Sequence, residues 1–213
     1  VPHQALTVVG RATVETATEL AQVGDASWTD LADPEIRDQF EELLVPTETV
    51  TWDDELAEVA AGLASAHDTP AQAAEAAVAW VNERLEYEKG STGVRTTTPE
   101  VLVAGSGVCQ DFAHVSLALL RAMGIPSWYV SGYLHPDPKA GIDEVIVGES
   151  HAWVAAFTGT VWPLDPTSLN PVEERHIRVA AGRDYHDVAP FRGIYAGRAD
   201  QELEVTVELV RKA

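Results

Sequence analysis

An α+β fold is the expectation for this 213-residue chain, and three observations carry it. Helical periodicity and helix-capping residues dominate as far as Met123. Beyond Pro126 the texture turns to short alternating or apolar runs separated by turn residues. Helices first and strands afterwards do not alternate as a doubly wound parallel sheet requires. A hydrophobic fraction of 46% supports a true core.

Residues 5–15 alternate partially and read as a strand. Residues 16–33 are loop-like. Asp33-Pro34 opens a helix through Leu44, with Ile36, Phe40, Leu43 and Leu44 on one face, and Val45-Pro46 ends it. Thr51 begins a second helix running to about His67. It carries Asp53, Asp54 and Glu55 in its first turn, where the helix dipole favours anions. Thr69-Pro70-Ala71-Gln72 is a capping box for a third helix, which turns Ala73, Ala77, Trp80, Val81 and Leu85 toward a core. A polar loop spans Glu86 to Thr98, and Thr98-Pro99-Glu100 starts one or two helical turns to Val103. From Cys109 to Met123 the 3.6-residue period is sustained by Phe112, Ala113, Ser116, Leu119, Leu120 and Met123, and Gly124 and Pro126 close that helix. Strands are expected at Trp128–Leu134, His151–Phe157, Val161–Leu164, Ile177–Ala180 and Glu202–Val210. The boundary near residue 48 divides an N-terminal strand and helix (1–48), read as a remnant of or link to a β-rich region, from a catalytic domain at 49–213.

Net charge is −20, from 34 acidic and 14 basic residues. Such a surface repels nucleic acid and anionic membrane, so neither is an expected partner. No apolar run approaches the roughly 20 residues of a membrane span. One cysteine forbids an internal disulfide and fits a reducing compartment, so a cytoplasmic location is expected. No HExxH, P-loop or GxGxxG occurs, and Asp111 with His114 on one helix is a weak pair. No metal and no other cofactor are expected.

The chemistry concentrates around that cysteine. Gly105-Ser106-Gly107-Val108 leads into Cys109, which begins a helix. Unpaired N–H groups and the positive dipole end favour thiolate over thiol there, and the Cys109 N–H can serve an oxyanion. The bland alternative is a small buried core cysteine. His151 opens a strand-like run, and Asp165 follows another before Pro166. A hairpin centred on Gly159 sets His151 near residue 167, within about two positions of Asp165. Cysteine, histidine and aspartate are then nucleophile, base and orienter. His3, His67, His135, His176 and His186 have no comparable claim. His114 lies about 500° around the helix from Cys109, and Asp111 in the first turn is expected to be structural.

Taken together, Gly107-Val108-Cys109-Gln110-Asp111-Phe112-Ala113-His114, Ala122-Met123-Gly124-Ile125-Pro126, Tyr129-Val130-Ser131-Gly132-Tyr133, His151-Ala152-Trp153 and Trp162-Pro163-Leu164-Asp165-Pro166-Thr167 resemble the transglutaminase-like superfamily. His176-Ile177, Gly182-Arg183-Asp184-Tyr185 and Asp187-Val188 resemble the C-terminal signature of its bacterial branch. The resemblance implies a papain-like core, a cysteine-bearing helix packed on an antiparallel sheet that bears the other two residues. It implies Cys109 as nucleophile, His151 as base and Asp165 as orienter. Tyr87, Gln110 and Trp153 are candidate oxyanion or substrate contacts, Tyr87 standing where animal transglutaminases use a tryptophan. The expected activity is acyl chemistry through a thioester on a peptide, protein or small amide, with hydrolysis ahead of glutamine transamidation. The alternative from another class is a silent binding module with the same fold.

Overall fold

The computed structural model describes residues 6–16, 20–137, 139–189 and 205–212. Helices α1 (Trp28–Leu31) and α2 (Pro34–Gln39) come first, followed by a 3-10 turn at Glu41–Leu43. Then come α3 (Asp54–Ala66) and α4 (Pro70–Arg84), a two-residue strand β1 (Glu86–Tyr87), and α5 (Thr98–Ala104). A second short strand β2 (Ser106–Gly107) leads into α6 (Cys109–Ala122). The sheet strands follow as β3 (Ser127–Leu134), β4 (Val145–Phe157), β5 (Val161–Leu164), β6 (His176–Gly182) and β7 (Val207–Val210).

Each helix start has a local cause. Ser27 and Asp30 form a reciprocal capping box on α1, a helix lying in a stretch read as loop. Asp33 accepts from Glu35 N–H to open α2, and Asp53 accepts from Leu56 N–H to open α3. Helix α3 therefore begins three residues later than expected from Thr51, because Asp53 caps it and is not inside its first turn. The expected helix 33–44 is shorter too, breaking at Phe40 into the 3-10 turn. Phe40 leaves the helical path with its ring against Trp128 and Phe157.

Strand order is β5-β4-β3-β6, all antiparallel, with β7 pairing the outer half of β4. The β4–β5 hairpin has the expected register, Val154 opposite Leu164 and Phe157 opposite Val161. Strand β4 starts at Val145, six residues before the expected His151, because β7 supplies backbone partners for Val145 to Gly148. The last expected strand, 202–210, is realised at Val207–Val210, and residues 202–204 lie outside the described ones. The expected strand at 5–15 is not formed over 6–15. Those residues are exposed and pair with no strand among the described residues, and alternation without a backbone partner makes no ladder.

Helix α6 is the centre of the molecule. Every residue from Gln110 through Arg121 is buried, between α3, α4 and α5 on one side and β3 and β4 on the other. Burying a leucine such as Leu117, Leu119 or Leu120 is worth about 1.5–3 kcal/mol. Ala26 and Leu31 join this same core, and Ala26 N–H donates to Thr158 O at 2.9 Å, so residues before 48 pack on the sheet hairpin. Arg121 is buried and donates to the carbonyls of Val45, Ser127 and Arg183. Asp184 accepts from Thr49 Oγ1 and His186 N–H, and Tyr185 N–H donates to His114 Nε2. The Gly182-Arg183-Asp184-Tyr185 stretch is thus a clasp between β6 and the helical layer. Burial holds the His114 imidazole down at about 4, as befits a neutral ring accepting a hydrogen bond.

Candidate active site

The Cys109 loop is clamped before the helix starts. Helix α5 ends on Gly105 at φ +70°, a left-handed cap that glycine adopts without strain. Strand β1 then runs parallel to β2, setting Tyr87 beside Gly107. Glu86 N–H donates to Gly105 O and Glu88 N–H to Gly107 O, both at 2.9 Å. From inside the helix, Asp111 Oδ2 accepts from Val108 N–H at 2.8 Å and from Thr92 Oγ1 at 2.5 Å. A Cβ on Gly107 would lie 2.7 Å from Asp111 Cβ, so glycine is what lets the loop close on this carboxylate. Two-residue strands carry no readable period, so the β1–β2 clip was invisible in the sequence.

Cys109 is half-buried at the first position of α6, where the leading N–H groups have no intrahelical acceptor. His151 sits on β4 opposite Gly132 of β3. Its Nε2 meets Asp165 Oδ2 at 2.9 Å, which leaves Nδ1 for the sulfur. Burial opposes charging of the imidazole, but its hydrogen bonds to Asp165 and Cys109 outweigh that and raise it to about 9. Asp165 is fully enclosed, and burial alone would raise its pKa. The donors around it win and hold its carboxyl well below the usual range. Those donors are His151, His176, Ser168 Oγ, and the N–H groups of Thr167 and Ser168. The 165–168 turn is tied to the helical layer by Asn82, whose Nδ2 donates to Pro166 O and Thr167 O, each at 2.9 Å.

The structure therefore brings Cys109, His151 and Asp165 together. Tyr87 stands near them, 44% exposed, with its hydroxyl raised by burial and then by the neighbouring cysteine. Gln110 is buried in the first turn of α6. Trp153 is 2% exposed, its ring against both His151 and His176. A Cβ on Gly132 would meet Trp153 Cη2 at 2.7 Å and Ile177 O at 2.2 Å. Lys89 and Glu149 pair at 2.6 Å near Tyr87.

His176 is the residue that sequence reasoning missed. Its loop-like sequence context gives it no claim on the chemistry beyond its place in the C-terminal signature, yet it lies on β6, buried, with Nε2 3.4 Å from Asp165 Oδ2. Only the pairing of β6 with β3 brings it there, Leu134 lying opposite both His176 and Glu149. His151, Asp165 and His176 place three ligand-type atoms within 4.8 Å of one another. Imidazole-to-carboxylate hydrogen bonding accounts for that spacing. Among the described residues no helix is long and apolar enough to cross a membrane.

A helix-borne cysteine over an antiparallel sheet that bears a histidine and an aspartate defines a papain-like core, the architecture of cysteine-based catalysis. The chain belongs to the transglutaminase-like superfamily, whose core model matches residues 57–166. It is 43% identical over its whole length to an uncharacterized protein of Mycobacterium leprae, covering 76% of that protein. An uncharacterized protein of Mycobacterium tuberculosis is 45% identical over 132 residues, 58% of this chain and 42% of that one. Among solved structures, a candidate cysteine protease from Cytophaga hutchinsonii superposes with a TM-score of 0.61 at 28% identity. That match covers 71% of this chain and 49% of the other, so the chain spans about half of that protein's length.

Proposed function

We propose that this protein cleaves amide bonds of peptide or protein substrates through a thioester on Cys109. The observation that carries the reading is the His151 ring shared between Asp165 and Cys109 at the start of α6. The imidazole takes the thiol proton, and the sulfur attacks the substrate carbonyl to form a tetrahedral oxyanion. The Cys109 N–H donates to that oxyanion, with the Tyr87 hydroxyl as second donor. His151 then returns its proton to the departing nitrogen, the C–N bond breaks, and the acyl group stays on sulfur. In the second half His151 takes a proton from water, hydroxide adds to the thioester, and the Cys109 thiolate leaves. Asp165 fixes the ring so that Nδ1 faces sulfur throughout. The likeness to the Cytophaga hutchinsonii protein supports hydrolysis over transfer.

The test is a panel of glutaminyl and peptide amides, with the acyl-enzyme trapped at low pH and located by mass spectrometry. Adduct on Cys109 that water releases supports the proposal. Release only by added amines would make the protein a transamidase, and no adduct with any amide would point to a silent module. Cys109→Ala and His151→Ala should each abolish the adduct. Asp165→Asn should leave a small residue of activity, since an orienter fixes the tautomer without forming bonds itself.

A further inference from the structure

We infer that His176 is a positioning residue: a neutral imidazole, protonated on Nε2, that holds the Asp165 carboxylate in place for His151. The inference rests on the proposed role of Asp165 as orienter, and it deepens that role.

Hydrogen bonding assigns the tautomer. Glu173 N–H donates to His176 Nδ1 at 3.2 Å. A ring nitrogen that accepts cannot also carry a proton, so the proton is on Nε2, the atom facing Asp165 Oδ2 at 3.4 Å. The acceptor side is fixed by the backbone, because His176 N–H closes the same turn on Glu173 O at 2.8 Å. The side chain is 1% exposed, so water does not compete for either nitrogen. Trp153 presses edge-on against the ring, with centroids 5.3 Å apart.

This arrangement has a chemical consequence. Asp165 Oδ2 serves His151, His176 and Ser168 together. Neutral donors spread the carboxylate charge, so the oxygen grips the His151 proton less tightly than a bare carboxylate would. A base that must return its proton to a leaving group needs that restraint. Of the other titratable groups around the pair, Cys109 faces His151, and Tyr87, Lys89 and Glu149 stand at the mouth. Tyr133 lies on β3, and Glu173, Glu174 and Arg175 precede β6.

The test uses the full chain labelled with 15N-histidine, together with His176→Gln, which keeps an N–H donor at the ε position, and His176→Phe, which fills the space without one. Near neutral pH the wild-type His176 should show a protonated Nε2 and a bare Nδ1. In His176→Phe the His151 titration midpoint should rise by about half a unit, and iodoacetamide labelling of Cys109 below neutral pH should quicken by a similar factor of about threefold, because an imidazolium held more firmly favours the thiolate. His176→Gln should return both to within about twofold of wild type. A protonated Nδ1 on His176 overturns the inference, as does a His151 midpoint that His176→Phe leaves unmoved or that both variants move alike. Should His176→Phe fail to fold, the wild-type tautomer and the glutamine variant decide it. An absence of amide turnover, with the His151 midpoint shifting as described, would defeat the acyl chemistry and leave the His176 assignment standing.

Discussion

Asp111 is the residue whose replacement is most informative, because two variants separate its shape from its charge. Its Oδ2 accepts from Val108 N–H and Thr92 Oγ1, and the carboxylate is wholly enclosed. Asp111→Ala strands both donors, each costing about 1–3 kcal/mol when buried. Partial rehydration of the exposed loop around Thr92 brings the expected total to about 2–4 kcal/mol. For a chain of this size that is a fall in melting temperature of roughly 5–15 °C. Burial raises the Asp111 carboxyl above its ordinary value despite those two bonds, so the charge itself is unfavourable in the fold. Asp111→Asn keeps an acceptor oxygen and sheds the charge, so its cost should be about 1 kcal/mol or less. The sign follows: a carboxyl raised on folding costs stability once ionised, so wild type should gain on Asp111→Asn as pH falls through the carboxylate range. Calorimetry of the three proteins across that range is the assay, with Cys109 alkylation as a check that the loop still presents its sulfur. An alanine variant melting within about 2 °C of wild type would refute the reasoning, since two stranded donors must show. So would an asparagine variant as unstable as alanine, which would mean that charge and not geometry ties the loop.

Direct titration of His151 by NMR should give a midpoint near 9, and a value near that of free histidine would break the contact set drawn for it. Raised on folding, this group contributes stability fully below its unfolded pKa and loses it as pH climbs through the folded one, a loss on the order of 3 kcal/mol. Asp165, lowered on folding, contributes above its unfolded pKa and loses its share in acid. Gly132→Ala should cost about 2 kcal/mol or more, because the new methyl overlaps the Ile177 carbonyl and the Trp153 ring, and should slow Cys109 alkylation; unchanged melting would show that β6 yields freely. Asn82→Ala frees the 165–168 turn from α4 and should lower amide turnover about tenfold with little change in substrate KM, whereas a purely KM effect would place Asn82 in binding instead.

The central parts were legible because their signals are local. A sustained 3.6-residue period marks α6, and a turn at Gly159 fixes the register that puts His151 near Asp165. What escaped depends on partners distant in sequence. His176 reaches Asp165 only through the β3–β6 pairing, which has a register shift at Ser131 and Gly132 that no pattern announces. Asn82 looks like an ordinary polar residue near a helix end, and its two carbonyl partners lie more than eighty residues away. The run at 6–15 errs in the opposite direction. Its alternation satisfies a strand template, yet a strand needs a neighbour's N–H and C=O groups as well as a pattern.

The enclosure of α6 bears on how this protein tolerates change. A single leucine-to-alanine replacement in that helix costs about 2–5 kcal/mol, against a total stability of about 5–15 kcal/mol for a typical domain. Diversification therefore has almost no room on the element that carries the cysteine. It has room at the rim, where Tyr87, Lys89 and Glu149 are exposed near the cysteine without supporting the core. Homologues with different substrates should differ there first, and a library intended to redirect specificity belongs in residues 87–96 and 145–150, with 109–121 left untouched.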